Sequence, residues 1–269
     1  MLNRRLLLRS ALAASALFVS GCVSTRGRLV PGSFAWFDLV SSDPDAAQAF
    51  YSDLFGWQFG TPASDGYRLI SGGGEALGGL VASSDVDAGS EFLSQWVPVL
   101  AVTDVMQATG AATANGGKLV RSPFTTSAGI FATVRDPRGA LLVLYTGTEG
   151  FPLDAAQKLN TWYWADLLTD SPSRTKAFYK AVAGLEIRQD GELTVFSSNG
   201  QARGGLVQVT RSRIEPTWLP YVAVSDVRKT ARRSQELGGG PLTITDDAAI
   251  LLDPTGAAIG VAQFGGAAE

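Results

Sequence analysis

The chain has 269 residues, 45% of them hydrophobic and 17% charged, with one cysteine and no histidine. At roughly 100–200 residues per domain this is room for one large domain or two small ones, each with enough apolar material for a core. The 22 basic and 25 acidic residues are spread along the chain, so no basic tract suggests nucleic acid. Without histidine there is no His-based triad and no metal site built on imidazole, and one cysteine excludes disulfides within the chain and Cys-rich zinc sites.

The first element is a targeting segment. Asn3 to Arg9 forms a basic n-region, Ser10 to Val19 a short apolar run, and Val19-Ser20-Gly21-Cys22 follows. The run is too short and too rich in alanine to be a spanning helix, and the pattern predicts a signal peptide over residues 1–21. Its end resembles the lipobox of bacterial lipoproteins, which implies cleavage before Cys22 and lipidation of that cysteine. Arg4-Arg5 with Leu7-Leu8 also resembles a twin-arginine export signal, though paired arginines occur in ordinary signals too. Cleavage removes three arginines and leaves 19 basic against 25 acidic residues, a net of −6, so membrane attachment would rest on the acyl chains of Cys22. Val23 stands where an aspartate would retain an enterobacterial lipoprotein in the inner membrane, so the outer membrane is the expected destination where there is one.

The remainder is a duplication. Trp36 to Phe59 lies over Trp164 to Ile187 at a constant offset of 128, with Trp36/Trp164, Asp38/Asp166, Pro44/Pro172, Phe50-Tyr51/Phe178-Tyr179 and Gly56/Gly184 identical. Gly78-Gly79-Leu80-Val81 recurs at Gly204, Trp96-x-Pro98 at Trp218, and Asp136-Pro137-x-Gly139-Ala140 at Asp253, where the offset has shrunk to 117. The loops are shorter in the second copy. A lipidated linker over 22–32, a domain over 33–148, a linker over 149–160 and a second domain over 161–265 are expected.

Within the first copy, residues 34–40 alternate and predict a strand. Pro44 opens a helix that Ser42 or Asp43 can cap, with Ala46, Ala47, Phe50, Tyr51 and Leu54 at helical spacing. Strands follow near 57–60, 66–71 and 77–83. The pattern restarts with a strand at 96–102, a helix at 104–115 and strands near 118–122, 129–135 and 140–146. This is a βαβββ unit twice per domain.

That arrangement, with D-x-x-x-A-x-x-F-Y, V-x-D-V and D-P-x-G-A in the same order twice, resembles the vicinal oxygen chelate superfamily of glyoxalase I, bleomycin-resistance proteins and extradiol dioxygenases. The resemblance spans nearly all of residues 33–264. It implies an α+β fold of four βαβββ modules in two tandem glyoxalase-like domains, each a curved sheet around a ligand-binding cup. It also implies metal-ligand positions, and these hold Trp36 and Trp164 on the first strands, Val97 and Leu219 on the second-module strands, and Val143 or Gly260 after the D-P-x-G turn. No metal and no cofactor are therefore expected, because a divalent cation needs several convergent O or N ligands.

Strand alternation puts Trp36 and Asp38 on one face, and Trp164 and Asp166 likewise. A carboxylate beside an indole can have a raised pKa and act as a base, or accept a hydrogen bond from a ligand. A half-exposed strand aspartate or a turn cap is the competing reading. Trp96, Trp218 and Tyr221 could floor an apolar cavity, or pack in the core. The expected function is capture of a small apolar or aromatic molecule. A metal-free isomerase, lyase or hydrolase using Asp38 or Asp166 as general base is the alternative, and a structural envelope lipoprotein a third. The expected partners are that small molecule and a membrane reached through Cys22, with the chain itself monomeric.

Overall fold

The computed structural model describes residues 29–86, 94–147, 158–191, 193–210 and 214–264. The signal segment, Cys22 and most of the 149–160 linker lie outside them. Two eight-stranded mixed sheets make up the fold. The first contains β1 (Phe34–Ser41), β2 (Gln58–Phe59), β3 (Arg68–Gly72), β4 (Glu75–Ala82), β5 (Gln95–Ala101), β6 (Lys118–Thr126), β7 (Gly129–Arg135) and β8 (Leu141–Gly147), in the order β2-β3-β4-β1-β5-β8-β7-β6. Helices α1 (Pro44–Phe55) and α2 (Val105–Ala114) follow β1 and β5.

The second sheet repeats this as β9 (Trp162–Thr169), β10 (Glu186–Asp190), β11 (Leu193–Ser198), β12 (Gln201–Gln208), β13 (Thr217–Val224), β14 (Gly240–Ile244), β15 (Ala248–Leu252) and β16 (Ala258–Gln263), in the order β10-β11-β12-β9-β13-β16-β15-β14, with α3 (Pro172–Ala183) and α4 (Val227–Glu236). The βαβββ unit therefore occurs four times. Two details differ from the sequence reading: β2 is only two residues long, and β6 runs on to Thr126.

Local chemistry starts and stops the helices where the motifs stand. Asp43 Oδ1 accepts from the Ala46 amide at 3.0 Å, Pro44 occupies the first turn, and Gly56 closes α1 in the left-handed region (φ 73°). Asp104 and Asp226 cap α2 and α4 through the amides of Gln107 (2.9 Å) and Lys229 (2.7 Å). In the D-P-x-G-A turn, Asp136 Oδ1 accepts from the amides of Arg138, Gly139 and Ala140 at 2.8–3.0 Å, and Asp253 repeats the device on Thr255 and Ala257. The turn motif is thus a carboxylate bonded to its own backbone.

One face of each sheet carries the helices and buries a core that the two sheets share. Trp162 lies against Trp96 (5.0 Å between ring centroids), Phe37 (4.9 Å) and Trp57 (5.2 Å), and Phe34 lies edge-on to Trp218 (5.0 Å). Trp162 Nε1 donates to the Leu77 carbonyl and Trp57 Nε1 to that of Asn160, both at 2.7 Å, and Arg138 forks onto Asp170 at 2.5–2.6 Å. These contacts pack the helix sides of the two sheets against each other and leave the opposite face of each sheet outside that core.

Candidate functional site

On the first sheet the face away from the helices carries Trp36, Asp38 and Val40 from β1, with Val97, Val99 and Ala101 from β5 and Val143 and Tyr145 from β8. Val81 on β4 and Val120 on β6 pack against the same apolar cluster, although five positions separate those strands in the sheet order. The sheet must curl for both wings to reach it, and the curl makes a cup.

A run of aromatic rings lines it. Arg121 holds its guanidinium 3.7 Å from the centre of the Phe124 ring, Phe124 stacks on Phe131 (5.7 Å), Phe131 on Tyr145 (4.7 Å), and Tyr145 meets Trp36 (5.0 Å). The run ends beside Asp38. Asp38 and Trp36 are half-buried. Tyr67, from the turn that leads into β3, donates its hydroxyl to Asp38 Oδ1 at 3.0 Å, and its ring lies flat over Gly79, where a Cβ would stand 1.9 Å from the ring. Gly79 is the residue paired with Asp38 across β4. Removal from water raises the Asp38 carboxyl from 3.8 to about 6, against the opposing pull of Tyr67, the Trp36 indole and the Gly79 amide. Burial first, and then the Asp38 charge, push the Tyr67 hydroxyl well above its ordinary value. The Trp36 Nε1–H sits close enough to favour the carboxylate electrostatically, yet it is buried and meets no acceptor in hydrogen-bonding geometry.

The second sheet fills the equivalent space. Trp164, Asp166 and Tyr221 are 1%, 0% and 0% exposed. Trp164 Nε1 donates to Asp166 Oδ1 at 2.9 Å. Tyr221 lies across Gly260, where a Cβ would come 2.1 Å from the ring, and its hydroxyl is pushed well above the ordinary value by burial first and then by Asp166. Leu168, Val195 and Ile250 complete the packing.

The structure therefore brings Trp36 and Asp38 together half-buried on the first sheet, and Trp164, Asp166 and Tyr221 together fully buried on the second. It does not bring Trp96 and Trp218 to either. Both lie on the helix side, 2% and 3% exposed, where their Nε1 atoms donate to the hydroxyls of Tyr51 and Tyr179 at 2.9 Å. The reason is register: Trp96 pairs with Leu39 and Trp218 with Leu167, one residue off the face of Asp38 and Asp166. Tyr67, Phe124, Phe131 and Tyr145 were missed from the sequence. Tyr67 has no counterpart in the second copy, and only the glycine opposite Asp38 signals a ring above it.

The first cup presents one carboxylate and two phenol hydroxyls. Trp36, Val99 and Val143 stand in one cross-strand row where a chelated cation would need donors, and in the second sheet Trp164, Tyr221 and Gly260 stand in that row; the expected Val97 and Leu219 lie two residues away, paired with Asp38 and Asp166. Among the described residues no three His, Cys, Asp or Glu side chains converge. These donors do not fit a divalent metal, which takes four to eight ligands.

Residues 33–144 match the model of the Glyoxalase/Bleomycin resistance protein/Dioxygenase superfamily. The chain is 29% identical over 246 residues to "Putative glyoxylase CFP32" of Mycobacterium tuberculosis, covering 86% of this chain and 94% of that one. It is 28% identical over 262 residues to the anthracycline biosynthesis protein DnrV of Streptomyces peucetius, covering 88% and 95%. Among solved structures it resembles the Mn(II)-bound glyoxalase of Novosphingobium aromaticivorans, with a TM-score of 0.60, 15% identity and 87% and 82% of the two chains covered. The 2,3-dioxygenase LapB of Pseudomonas sp. KL28 gives 0.59, 11%, and 89% and 94%. At these identities the solved structures speak for the fold alone. The family match is thus confined to residues 33–144, in a chain that folds throughout as tandem glyoxalase-like domains.

Proposed function

We propose that the first cup binds a planar, largely apolar aromatic molecule without a divalent metal, and that Asp38 with Tyr67 forms its polar end. The observation that carries this reading is the run of rings from Phe124 through Phe131 and Tyr145 to Trp36, which leads from a stacked arginine to a half-buried carboxylate. Flat rings stack on such a wall, and a few polar groups at one end set orientation. Two relatives named for anthracycline biosynthesis agree with a polycyclic ligand.

Equilibrium dialysis against a panel of two- to four-ring aromatics tests the reading. One ligand per chain is expected, with Trp36→Ala weakening it about tenfold or more and Trp164→Phe leaving it unchanged. No binding across the panel, two equivalents per chain, or stoichiometric divalent metal on the purified protein would overturn it.

A second reading is proton transfer by Asp38, favoured by the rise of its carboxyl to about 6, close to the pH at which a general base works. Turnover of a bound ligand that Asp38→Asn removes while binding persists would establish it. We further propose that the mature chain is lipidated at Cys22 and displays the cup on the cell envelope. Mass spectrometry of the protein from its own host should find an acylated Cys22 at the N-terminus. An unmodified Cys22 would overturn this.

A further inference from the structure

The two cups contain the same tryptophan–aspartate pair in two states. In the second sheet Trp164 Nε1 donates to Asp166 at 2.9 Å and both side chains are sealed from solvent, so donor and acceptor satisfy each other. In the first, Asp38 Oδ1 accepts from the Tyr67 hydroxyl, and the Trp36 Nε1–H, two residues away on the same face, lies near the carboxylate but is buried without an acceptor in hydrogen-bonding geometry. A buried donor with no partner costs a sizeable part of a hydrogen bond, so it marks a place where an acceptor from outside belongs. A tyrosine reaches the carboxylate in both cups, Tyr67 from over Gly79 in the first and Tyr221 from over Gly260 in the second, so the unmet indole N–H is what sets the first apart.

We propose that the first cup selects ligands carrying a carbonyl and a hydroxyl along one edge of a planar ring system, the carbonyl accepting from Trp36 Nε1 and the hydroxyl donating to Asp38. This rests on the reading of the first cup as a binding site and names the chemistry it takes. A carbonyl alone leaves the carboxylate facing an apolar ring. A hydroxyl alone leaves the indole N–H unpaired. Only the combination answers both groups, and the aromatic wall requires that the two be carried on something flat.

Three probes of one shape separate these possibilities: 2-hydroxyanthraquinone, 2-methoxyanthraquinone, which lacks the donor, and 2-hydroxyanthracene, which lacks the carbonyls. In the 2-position the hydroxyl is not tied up by an internal hydrogen bond. Equilibrium dialysis of the whole folded protein at pH 7.5 should place the first about tenfold tighter than each of the others. Trp36→Phe should bring 2-hydroxyanthraquinone down to the level of 2-hydroxyanthracene without changing the latter. Asp38→Ala should abolish the preference for hydroxyl over methoxyl. Equal binding of all three by the unaltered protein overturns the inference and leaves the cup as a binding site. Binding of none overturns both. Because the unaltered protein alone decides between these outcomes, a variant that fails to fold does not blunt the test.

Discussion

The two sheets are built from one repeated module, yet one keeps its tryptophan–aspartate pair half-buried and the other buries it fully. Trp36 and Asp38 in the first correspond to Trp164 and Asp166 in the second, so the difference lies in what surrounds them. In the second cup Gly260 stands opposite Tyr221, and with no Cβ in the way the tyrosine ring lies flat across the sheet and closes over the carboxylate. In the first cup the same two places hold Val143 and Val99, and the tyrosine enters from the side through Tyr67. A module can thus be retained as packing in one copy while its twin keeps polar groups half-solvated. Half-buried groups under electrostatic stress are the ones that proteins reserve for ligands and chemistry.

If the second cup is core, removing its plug should be the most damaging change. Tyr221→Ala leaves a large cavity over Gly260 and is expected to cost about 3–5 kcal/mol in denaturant unfolding, with binding in the first cup retained in the folded fraction. Trp164→Phe comes next, because it deprives the sealed Asp166 of a donor. A loss of about 1–3 kcal/mol is expected, against less than about 1 for Trp36→Phe, whose indole N–H lies near Asp38 without reaching it in hydrogen-bonding geometry. Equal losses in the two variants would erase the distinction between the cups.

Asp38 should behave in the opposite sense. Its folded carboxyl, at about 6, lies above the unfolded value, so ionisation destabilises the fold; that penalty is fully present above about pH 6 and is relieved as pH falls toward 4. Asp38→Asn should therefore stabilise the protein at pH 7.5 by about 1–2 kcal/mol, the rise from 3.8 being discounted for partial exposure, and the gain should vanish near pH 4. Thermal melts of the two proteins across that range measure it, and a destabilised Asn variant at pH 7.5 would contradict it. The smallest effect is that of Tyr67→Phe. Loss of its donated hydrogen bond should move the Asp38 titration upward by roughly 0.5–1 pH unit, read from the carboxyl carbon by NMR.

The four βαβββ units, the capped start of the first helix and the D-P-x-G-A turns were legible in the sequence because each is a local arrangement, set by period, proline, glycine and an aspartate bonded to its own backbone. The shared face of Trp36 and Asp38 was legible for the same reason: residues two apart on a strand point the same way. Trp96 and Trp218 were not, since alternation along β5 and β13 says nothing about which of their faces matches which face of β1 and β9. Cross-strand register decides that, and it pairs each tryptophan with a leucine of the helix side. Tyr67 and the aromatic wall were hidden because they come from strands brought together only by the curl of the sheet.

The sequence by itself determined the module, its repetition, the lack of imidazole and the first-strand members, Trp36 and Trp164, of the would-be chelating row. All of these follow from residue type and short-range spacing. The tertiary structure decided which tryptophans serve the core between the sheets, and which cup is closed. Those outcomes depend on register, on sheet curvature and on where a glycine lets a tyrosine lie flat, and none of these is a property of any one segment of the chain.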